Sequence, residues 1–480
     1  MRASLNLNPF TTMMVTFDPE RFYGWKHQII TILQVITASH PNGHAIYGIR
    51  AIGKTTLLRF LKDPKGAVTQ YADYLQGNYH PGGGRSLLFV YMTFHHFDPT
   101  ENIFTFMLEA LNEELIEQRL NEGVVADSRG IRDDNNKMDV VNHLRDSVRV
   151  LDEQGIRVVF LLDDFDTPLV NKNIKQDDDR LLRSLCDDAA IIFVTEKPIV
   201  ELRADMKPAD SPLLGILKPE AIGLITDSEA RQLVCEPAHA EGMDFSDEEI
   251  TFLIEVGGRQ PFLLATACEL YFEMRTEYPM LSEQVNSPDT RDILQTQFLH
   301  RLGGQPHVEN LLHRIWTRIE DAERRTLYAI SQGIRPTYDQ ADIAARLEPK
   351  ALVYLDVKNG QYCLFSRLFE SFVQRRYSPA TERPTAPAFS TREFPQLNIP
   401  PIDRALLRYF IQHQNKVLTF EELLGAVWED PHKSKRALEA AVNRLRRTLR
   451  PTQQIKNIRG MGYKFVNDET PHPISHANGY

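Results

Sequence analysis

The chain has 480 residues, 42% of them hydrophobic and 25% charged, with a formal net charge of −10. No apolar run approaches the ~18 residues of a membrane helix, and the first residues lack a secretory apolar core. The four cysteines (Cys186, Cys235, Cys268, Cys363) show neither disulfide-framework nor zinc-ligand spacing, so a membrane-spanning, disulfide-stapled or zinc-finger protein is excluded and a reducing cytoplasm is the expected compartment.

The first third reads as strands alternating with helices. Gly43–Tyr47 is a short apolar strand, and Lys54 opens a helix running to Leu61. Ser86–Tyr91 is a second strand. Ile103–Leu120 has apolar residues at helical spacing, with Glu109, Glu113, Glu114 and Glu117 on the expected wet side. Arg157–Leu162 and Ala189–Val194 are further apolar runs. Continuous apolar strands between helices predict a parallel sheet covered on both faces. After about residue 225 the pattern turns helical, over Asp227–Ala240, Asp247–Val256 and Pro261–Arg275. Leu311–Tyr377 adds more helix and closes on two short apolar runs around Asn359-Gly360, a hairpin signal. Helices followed by a hairpin predict a winged helix.

Residues 378–400 hold five prolines and little periodicity, which marks a linker. At ~3.1 Å per residue in polyproline II form it reaches about 70 Å. In the last segment, Leu406–Gln412, Thr419–Leu424 and Ser434–Arg450 read as three helices. Thr419 and Glu422 are spaced as a capping box. Leu438, Ala441, Val442, Leu445 and Leu449 form an apolar stripe on the third helix. A hairpin over Ile455–Val466 follows, and 468–480 reads as a disordered tail. Residues 401–467 carry 13 Lys and Arg against 6 Asp and Glu, a net of +7, while the rest of the chain nets −17. A basic module on an acidic body points to a polyanionic partner for that module alone.

Gly48-Ile49-Arg50-Ala51-Ile52-Gly53-Lys54-Thr55 fits GxxxxGK[ST] after a strand and at a helix start. Glycines let the backbone amides curl inward, and the helix N-terminus adds positive potential. Gly48, Gly53, Lys54, Thr55 and Thr56 are the expected phosphate contacts for ATP or ADP. Asp163-Asp164 ends a buried strand, the pattern of a Walker B motif. Asp163 with Thr55 is the expected Mg²⁺ site, and Asp164 the residue that orients or deprotonates water. Asp166 is the expected helix cap. Thr195, at the end of the fourth strand, is the expected γ-phosphate sensor. Gly82-Gly83-Gly84 reads as a turn, and His95-His96 as a surface or half-buried pair without metal-ligand spacing.

Residues 8–280 resemble the STAND-class, AAA+-related signalling ATPases. The resemblance rests on Asn8-Pro9-Phe10, Asp18–Gly24, the P-loop, the Asp163-Asp164 strand and Gly257-Gly258-Arg259-Gln260-Pro261-Phe262-Leu263-Leu264. It implies that Tyr23 and Gly24, in the Phe22–Trp25 box, touch the nucleotide base, and that Pro261 contacts the nucleotide from a helical lid. Trp25 stands where the family has arginine and offers a ring to stack on a base. Arg180 and Arg183 are the candidates for a trans-acting arginine finger. The family implies a switch that forms a homo-oligomer on ATP binding, with a winged helix packed on the lid.

Residues 401–467 resemble the DNA-binding domain of OmpR/PhoB-type response regulators. The carriers are Phe420–Trp428, Arg436–Arg447 and Ile455–Phe465. The resemblance implies a recognition helix in the major groove with Lys435, Arg436, Asn443, Arg444, Arg446 and Arg447, and a wing with Arg459. Ala441 takes a position where that family often has a groove-facing histidine. No receiver domain is expected ahead of it, so phospho-aspartate control is not expected.

The sequence therefore predicts an α/β P-loop NTPase sheet (1–225), a helical lid (226–306), a winged helix on the ATPase (307–377), a linker (378–400) and a DNA-binding winged helix (401–467). The expected function is an ATP-dependent, Mg²⁺-dependent switch with slow turnover. Its expected partners are double-stranded DNA, further copies of the chain and an unknown signal or protein, with no membrane. The alternatives are a signalling or defence platform whose last domain binds protein, and a DNA-remodelling loader.

Overall fold

The computed structural model describes residues 8–11, 17–79, 84–98, 100–120, 137–171, 174–203, 211–278, 280–356 and 359–377. Beyond these it describes 403, 406–407, 409–410, 417–420, 422–424, 435–449, 453–458 and 462–467. Contacts divide the chain into two compact units, Met1–Pro379 and Ala380–Tyr480. The linker, the tail, Gly82-Gly83 and Arg459 lie outside the described residues.

In the first unit, five parallel strands form one sheet in the order β2-β3-β4-β1-β5. They are β1 (Gly43–Tyr47), β2 (Ser86–Thr93), β3 (Ile156–Asp163), β4 (Ala190–Thr195) and β5 (Lys218–Ala221). The central strands read as unbroken apolar runs because both their faces are covered. Val159, Leu161, Ile192 and Val194 face one apolar core, and Val158, Phe160, Leu162, Ile191 and Phe193 face the other. Helices α1 (Lys26–Ile36) and α2 (Lys54–Lys62) feed the first core. Helices α3 (Ile103–Glu117) and α4 (Lys137–Glu153) feed the second, beyond the short α5 (Asp166–Val170) and with α6 (Gln176–Leu185). Buried Arg157 turns its guanidinium onto the Ile36 and Ala38 carbonyls at the end of α1, where a cation meets the negative end of the helix dipole.

One expected wet position is not wet. Glu114 is buried, and Lys62 of α2 reaches it as an ion pair. Periodicity sees a polar residue, whereas the fold supplies a partner from another helix.

The lid consists of α7 (Asp227–Ala240), α8 (Asp247–Gly257), α9 (Pro261–Glu277), α10 (Leu281–Asn286) and α11 (Pro288–Gly303). Thr226 and Ser246 open α7 and α8 with capping boxes to Glu229 and Glu249. The following segment has α12 (Pro306–Thr317), α13 (Asp321–Ser331), α14 (Tyr338–Leu347), the β6–β7 hairpin (Val353–Asp356, Gln361–Leu364) and α15 (Arg367–Arg376). Leu368, Phe369 and Val373 of α15 share the first core with Phe252 of α8 and Phe298 of α11. Gly258 marks how close these parts come, since a Cβ there meets the Phe365 carbonyl oxygen at 2.1 Å.

In the second unit, β8 (Val417–Thr419), β9 (Gln453–Ile458) and β10 (Gly462–Asn467) form an antiparallel sheet in the order β8-β10-β9. It covers α16 (Lys435–Thr448), whose Leu438, Ala441, Val442 and Leu445 are fully buried with Leu406, Phe410, Leu423, Tyr463 and Phe465. The Thr419–Glu422 capping box forms, with Glu422 N donating to Thr419 Oγ1 at 3.2 Å and Thr419 N to Glu422 Oε2 at 2.8 Å. Ala441 is core, not groove: the helical period that sets its neighbours inward sets it inward too.

Candidate functional site

The loop between β1 and α2 wraps a cleft of about 470 Å³. Gly48 permits the wrap, because a Cβ there meets the Ile222 carbonyl oxygen at 2.5 Å. Gly53 has φ +114° and opens α2 from the left-handed region, which favours glycine. Lys54 is buried, and its Nζ donates to the Gly48 and Ile49 carbonyls at 2.6 and 3.2 Å. The ammonium thus lies across the loop. Thr55, Thr56, Gly53 and Arg50 also line the cleft.

β3 brings the acids to the same place. Asp163 Oδ2 accepts from Thr55 Oγ1 at 2.8 Å and from Tyr91 Oη at 3.0 Å. A buried carboxylate and a hydroxyl oxygen in contact are hard donors of the kind Mg²⁺ takes. Asp164 is half-exposed, lines the cleft and has φ +53°, a conformation aspartate tolerates better than most side chains. Its Oδ2 lies 3.6 Å from His95 Nδ1, so the expected surface histidine sits beside the expected water-activating acid. Among the described residues, no group of three or more His, Cys, Asp or Glu forms a metal cluster.

Burial lowers the Lys54 pKa to about 8, against the pull of Asp166, Asp163 and Asp164. Burial likewise raises the Asp166 carboxyl to about 6, against the pull of Lys54. Asp166 is not the N-cap expected of it. It is the first residue of α5, and both its oxygens accept from Glu196 N at 2.9 Å, which ties the exit of β3 to the exit of β4.

The cleft is also lined by Phe17, Phe22, Tyr23, Leu233, Pro261 and Phe262, apolar or aromatic side chains that stand near Asp18 and Arg21. Phe22 stacks on Phe60 at 4.1 Å between ring centroids. Tyr23 is held by a hydrogen bond to Glu236, which with burial raises its phenol pKa. Gly24 has φ +125° and lets the box turn toward Ile225. Trp25 does not present a free stacking face. It is buried, its Nε1 donates to the Gly223 carbonyl at 2.9 Å, and its ring lies where a Gly53 Cβ would be, 2.5 Å away. It is a wedge under the P-loop.

Two residues without an expected role join parts of this site. Gln260 is fully buried; its Nε2 donates to the Ala51 carbonyl at 2.6 Å and its Oε1 accepts from Leu263 N at 2.6 Å. It caps α9 and fastens the lid to the P-loop, and its place before Pro261 was the available signal. Glu196 lines the cleft and forms an ion pair with Arg318, the residue that ends α12. No local pattern announces a pair separated by 122 positions. Thr195 lies where expected, at the end of β4, but its buried hydroxyl donates to the Lys197 carbonyl at 2.7 Å. Arg180 pairs with Asp177 within its helix, and Arg183 with Asp187 just beyond the helix end.

In the second unit the basic residues divide. Arg444 is bidentate to fully buried Asp403, with both contacts at 2.7 Å. Arg446 donates twice to the Ile455 carbonyl, at 3.0 and 2.8 Å, and lies over the Tyr463 ring. These two arginines, expected at DNA, are tied into the fold. Asn443 and Arg447 are exposed, four residues apart, on one face of α16. Lys435 and Arg436 fall in its first turn. Lys456 on β9 pairs in register with Lys464 on β10.

The strand order, the P-loop after β1 and the paired acids after β3 define the first unit as a P-loop NTPase fold with a helical lid. The second unit is a winged helix. Residues 395–465 match the family described as transcriptional regulatory protein, C terminal. The phosphate regulon transcriptional regulatory protein PhoB of Shigella dysenteriae is 33% identical over 233 residues, covering 45% of this chain and 92% of that protein. PhoB of Escherichia coli is 31% identical over the same length. The chain belongs to this family of transcriptional regulators. It is also similar to a Walker-type ATPase of Pyrococcus abyssi (12% identity, 75% of this chain and 97% of that one, TM-score 0.45) and to the ORC2 protein of Aeropyrum pernix (14% identity, 75% and 97%, TM-score 0.40). Among the described residues, the five-stranded sheet of the first unit is the one parallel sheet. No described helix is long and apolar enough to cross a membrane.

Proposed function

We propose that this chain is an ATP-dependent switch whose output is duplex DNA binding in transcription control. The observation that carries the reading is the cleft: Lys54, the Thr55–Asp163 pair and Asp164 converge at it, with apolar and aromatic lining for a base, in a chain that also bears a PhoB-type domain.

Lys54 leaves the loop carbonyls for the β- and γ-phosphates, to which it is a stronger electrostatic partner. Thr55 and Asp163 would hold Mg²⁺, which supplies charge neutralisation at the phosphates when bound. Asp164 orients the attacking water and accepts its proton. Tyr23, Gly24 and Pro261 contact the nucleotide away from the phosphates. Asn443, Arg447, Lys435, Arg436 and the wing, with Arg459, meet DNA, while Arg444 and Arg446 set the geometry of the domain. ATP-bound copies associate, and several winged helices joined on one site raise affinity through effective concentration.

The test is a gel-shift series of the full-length protein on genomic fragments, with a non-hydrolysable ATP analogue, with ADP and with neither. The analogue should tighten binding, with a steep dependence on salt. Salt-independent binding, or the same affinity in all three states, rejects the reading.

A further inference from the structure

β4 lies between β1, which carries the P-loop, and β3, which carries Asp163. Its exit therefore points between the phosphate cation and the metal carboxylate. Glu196 is the first residue past that exit and lines the cleft, as does Asp164. Asp166 bonds the Glu196 backbone from behind. Asp163, Asp164 and Asp166 thus surround one buried lysine, and Glu196 adds a fourth carboxylate at the cleft wall. A terminal phosphate arriving there adds negative charge to an already acidic, half-desolvated place, where like charges repel strongly.

The counter-charge comes from the other end of the unit. Arg318 pairs with Glu196 through Nη1, and among the described residues its remaining N–H groups have no hydrogen-bond partner. It lines a cavity beside the P-loop together with Gly48, Ile49, Arg50 and Glu196. The pair is not needed to hold α12 in place, since Val308, Leu311, Leu312, Ile315 and Trp316 already bury that helix. With side-chain exposures of 47% and 25%, an ion pair of this kind adds little stability of its own. Nor is the task taken by the other candidates. Thr195 bonds the Lys197 carbonyl, Arg180 and Arg183 pair with Asp177 and Asp187, and Arg21, which also lines the cleft, pairs with Asp18, while Arg50 belongs to the P-loop itself and gives the α12–α15 segment no link to the phosphate.

We propose that Arg318 is the residue through which the α12–α15 segment distinguishes a nucleoside triphosphate from a diphosphate: Glu196 holds it at the cleft edge, and the terminal phosphate recruits its unused N–H groups. This deepens the reading of the cleft as a nucleotide site and rests on it. A planar guanidinium can hold a carboxylate with one edge and a phosphate oxygen with another, which an ammonium does less well. With a diphosphate bound, Arg318 keeps Glu196 alone. With a triphosphate bound it bridges both, and α12 is drawn to the phosphate through its own last turn.

The experiment measures dissociation constants of fluorescent ADP and of a fluorescent non-hydrolysable ATP analogue for the full-length protein. Arg318→Ala should weaken the triphosphate about tenfold and the diphosphate by less than about threefold, the scale of one charge-assisted hydrogen bond. Glu196→Gln keeps a side-chain oxygen that can accept from the guanidinium but removes one repelling charge, so it should tighten the triphosphate severalfold and leave the diphosphate unchanged. Equal losses for both nucleotides in Arg318→Ala, or an unchanged ratio in Glu196→Gln, overturn the proposal. If Arg318→Ala fails to fold, Glu196→Gln decides alone. A wild-type protein that binds neither nucleotide rejects the nucleotide site itself, whereas one that binds both with ratios indifferent to these substitutions rejects only the role of Arg318.

Discussion

The two units use charge in opposite ways. In the first, the decisive charges are withdrawn from water: Lys54 and Asp163 are buried, Asp166 is half-buried, and Lys54 and Asp166 have displaced pKa values. In the second, charge is plentiful in the sequence and, among the described residues, mostly at the surface, yet Arg444 and Arg446 are engaged with Asp403 and the Ile455 carbonyl. A net of +7 over 401–467 therefore overstates what faces outward, and a net of −17 over the rest conceals a cationic phosphate site. A sum over sequence measures neither, because burial decides what a charge can do.

The sharpest way to break this comparison is Lys54→Ala. The loss of the buried cation should weaken ATP and ADP by at least about a hundredfold, since charge-assisted contacts to two phosphates vanish from a desolvated place. Isothermal titration of the folded variant checks it. Next comes Asp164→Asn, which should slow hydrolysis by about 10²–10⁴-fold while nucleotide affinity holds, because only proton acceptance is removed. Asp163→Asn should instead raise the Mg²⁺ concentration needed for half-maximal turnover, measured by phosphate release against Mg²⁺. Identical behaviour of the two variants would cancel the division of roles.

The second unit yields the middle-sized effect. Arg444→Ala leaves Asp403 buried without its partner and should lower the melting temperature of that unit, the more so above the carboxylate's ordinary pKa. Arg447→Ala should leave stability within about 0.5 kcal/mol and lower the salt slope of DNA binding by about 1. Thermal melts and salt titrations of the same two variants separate a structural arginine from an outward one.

The smallest effect is in pH. The Lys54 pKa is depressed in the folded state, so between about 8 and its ordinary value the unfolded chain binds more protons and folding stability rises with pH. Nucleotide binding runs the other way. It needs the charged lysine, so affinity should fall as pH rises through about 8, with proton uptake on binding near that pH. Calorimetry in buffers of different ionisation heat measures the uptake. For Asp166 the folded pKa is raised, so its contribution to stability falls as pH rises toward about 6 and is lost above it.

What the sequence made legible follows from the physics of each element. β1 to β4 stood out because fully buried strands are continuous apolar runs, and the P-loop because its glycines and lysine are local in sequence. β5 did not stand out. Lys-Pro-Glu-Ala on a half-covered edge has no apolar pattern, and Pro219 suits only an edge. The two winged-helix hairpins were readable from turn chemistry. Glu114, Gln260, Glu196 and Arg318 were not, because each owes its role to a partner distant in the chain. The Arg444–Asp403 pair was not legible for the same reason, since the two lie 41 positions apart.

The wedge under the P-loop has an optical consequence. The chain contains three tryptophans, and two of them flank the machinery described above. Trp25 presses on Gly53 with its indole N–H fixed to a carbonyl, and Trp316 stands two positions before Arg318 with the Arg324 guanidinium 5.4 Å from its ring. An indole in such a place emits according to the field and rigidity around it. The protein thus carries its own chromophores at both the loop that grips phosphate and the helix proposed to sense it, and intrinsic emission can follow the two events in time without an added label.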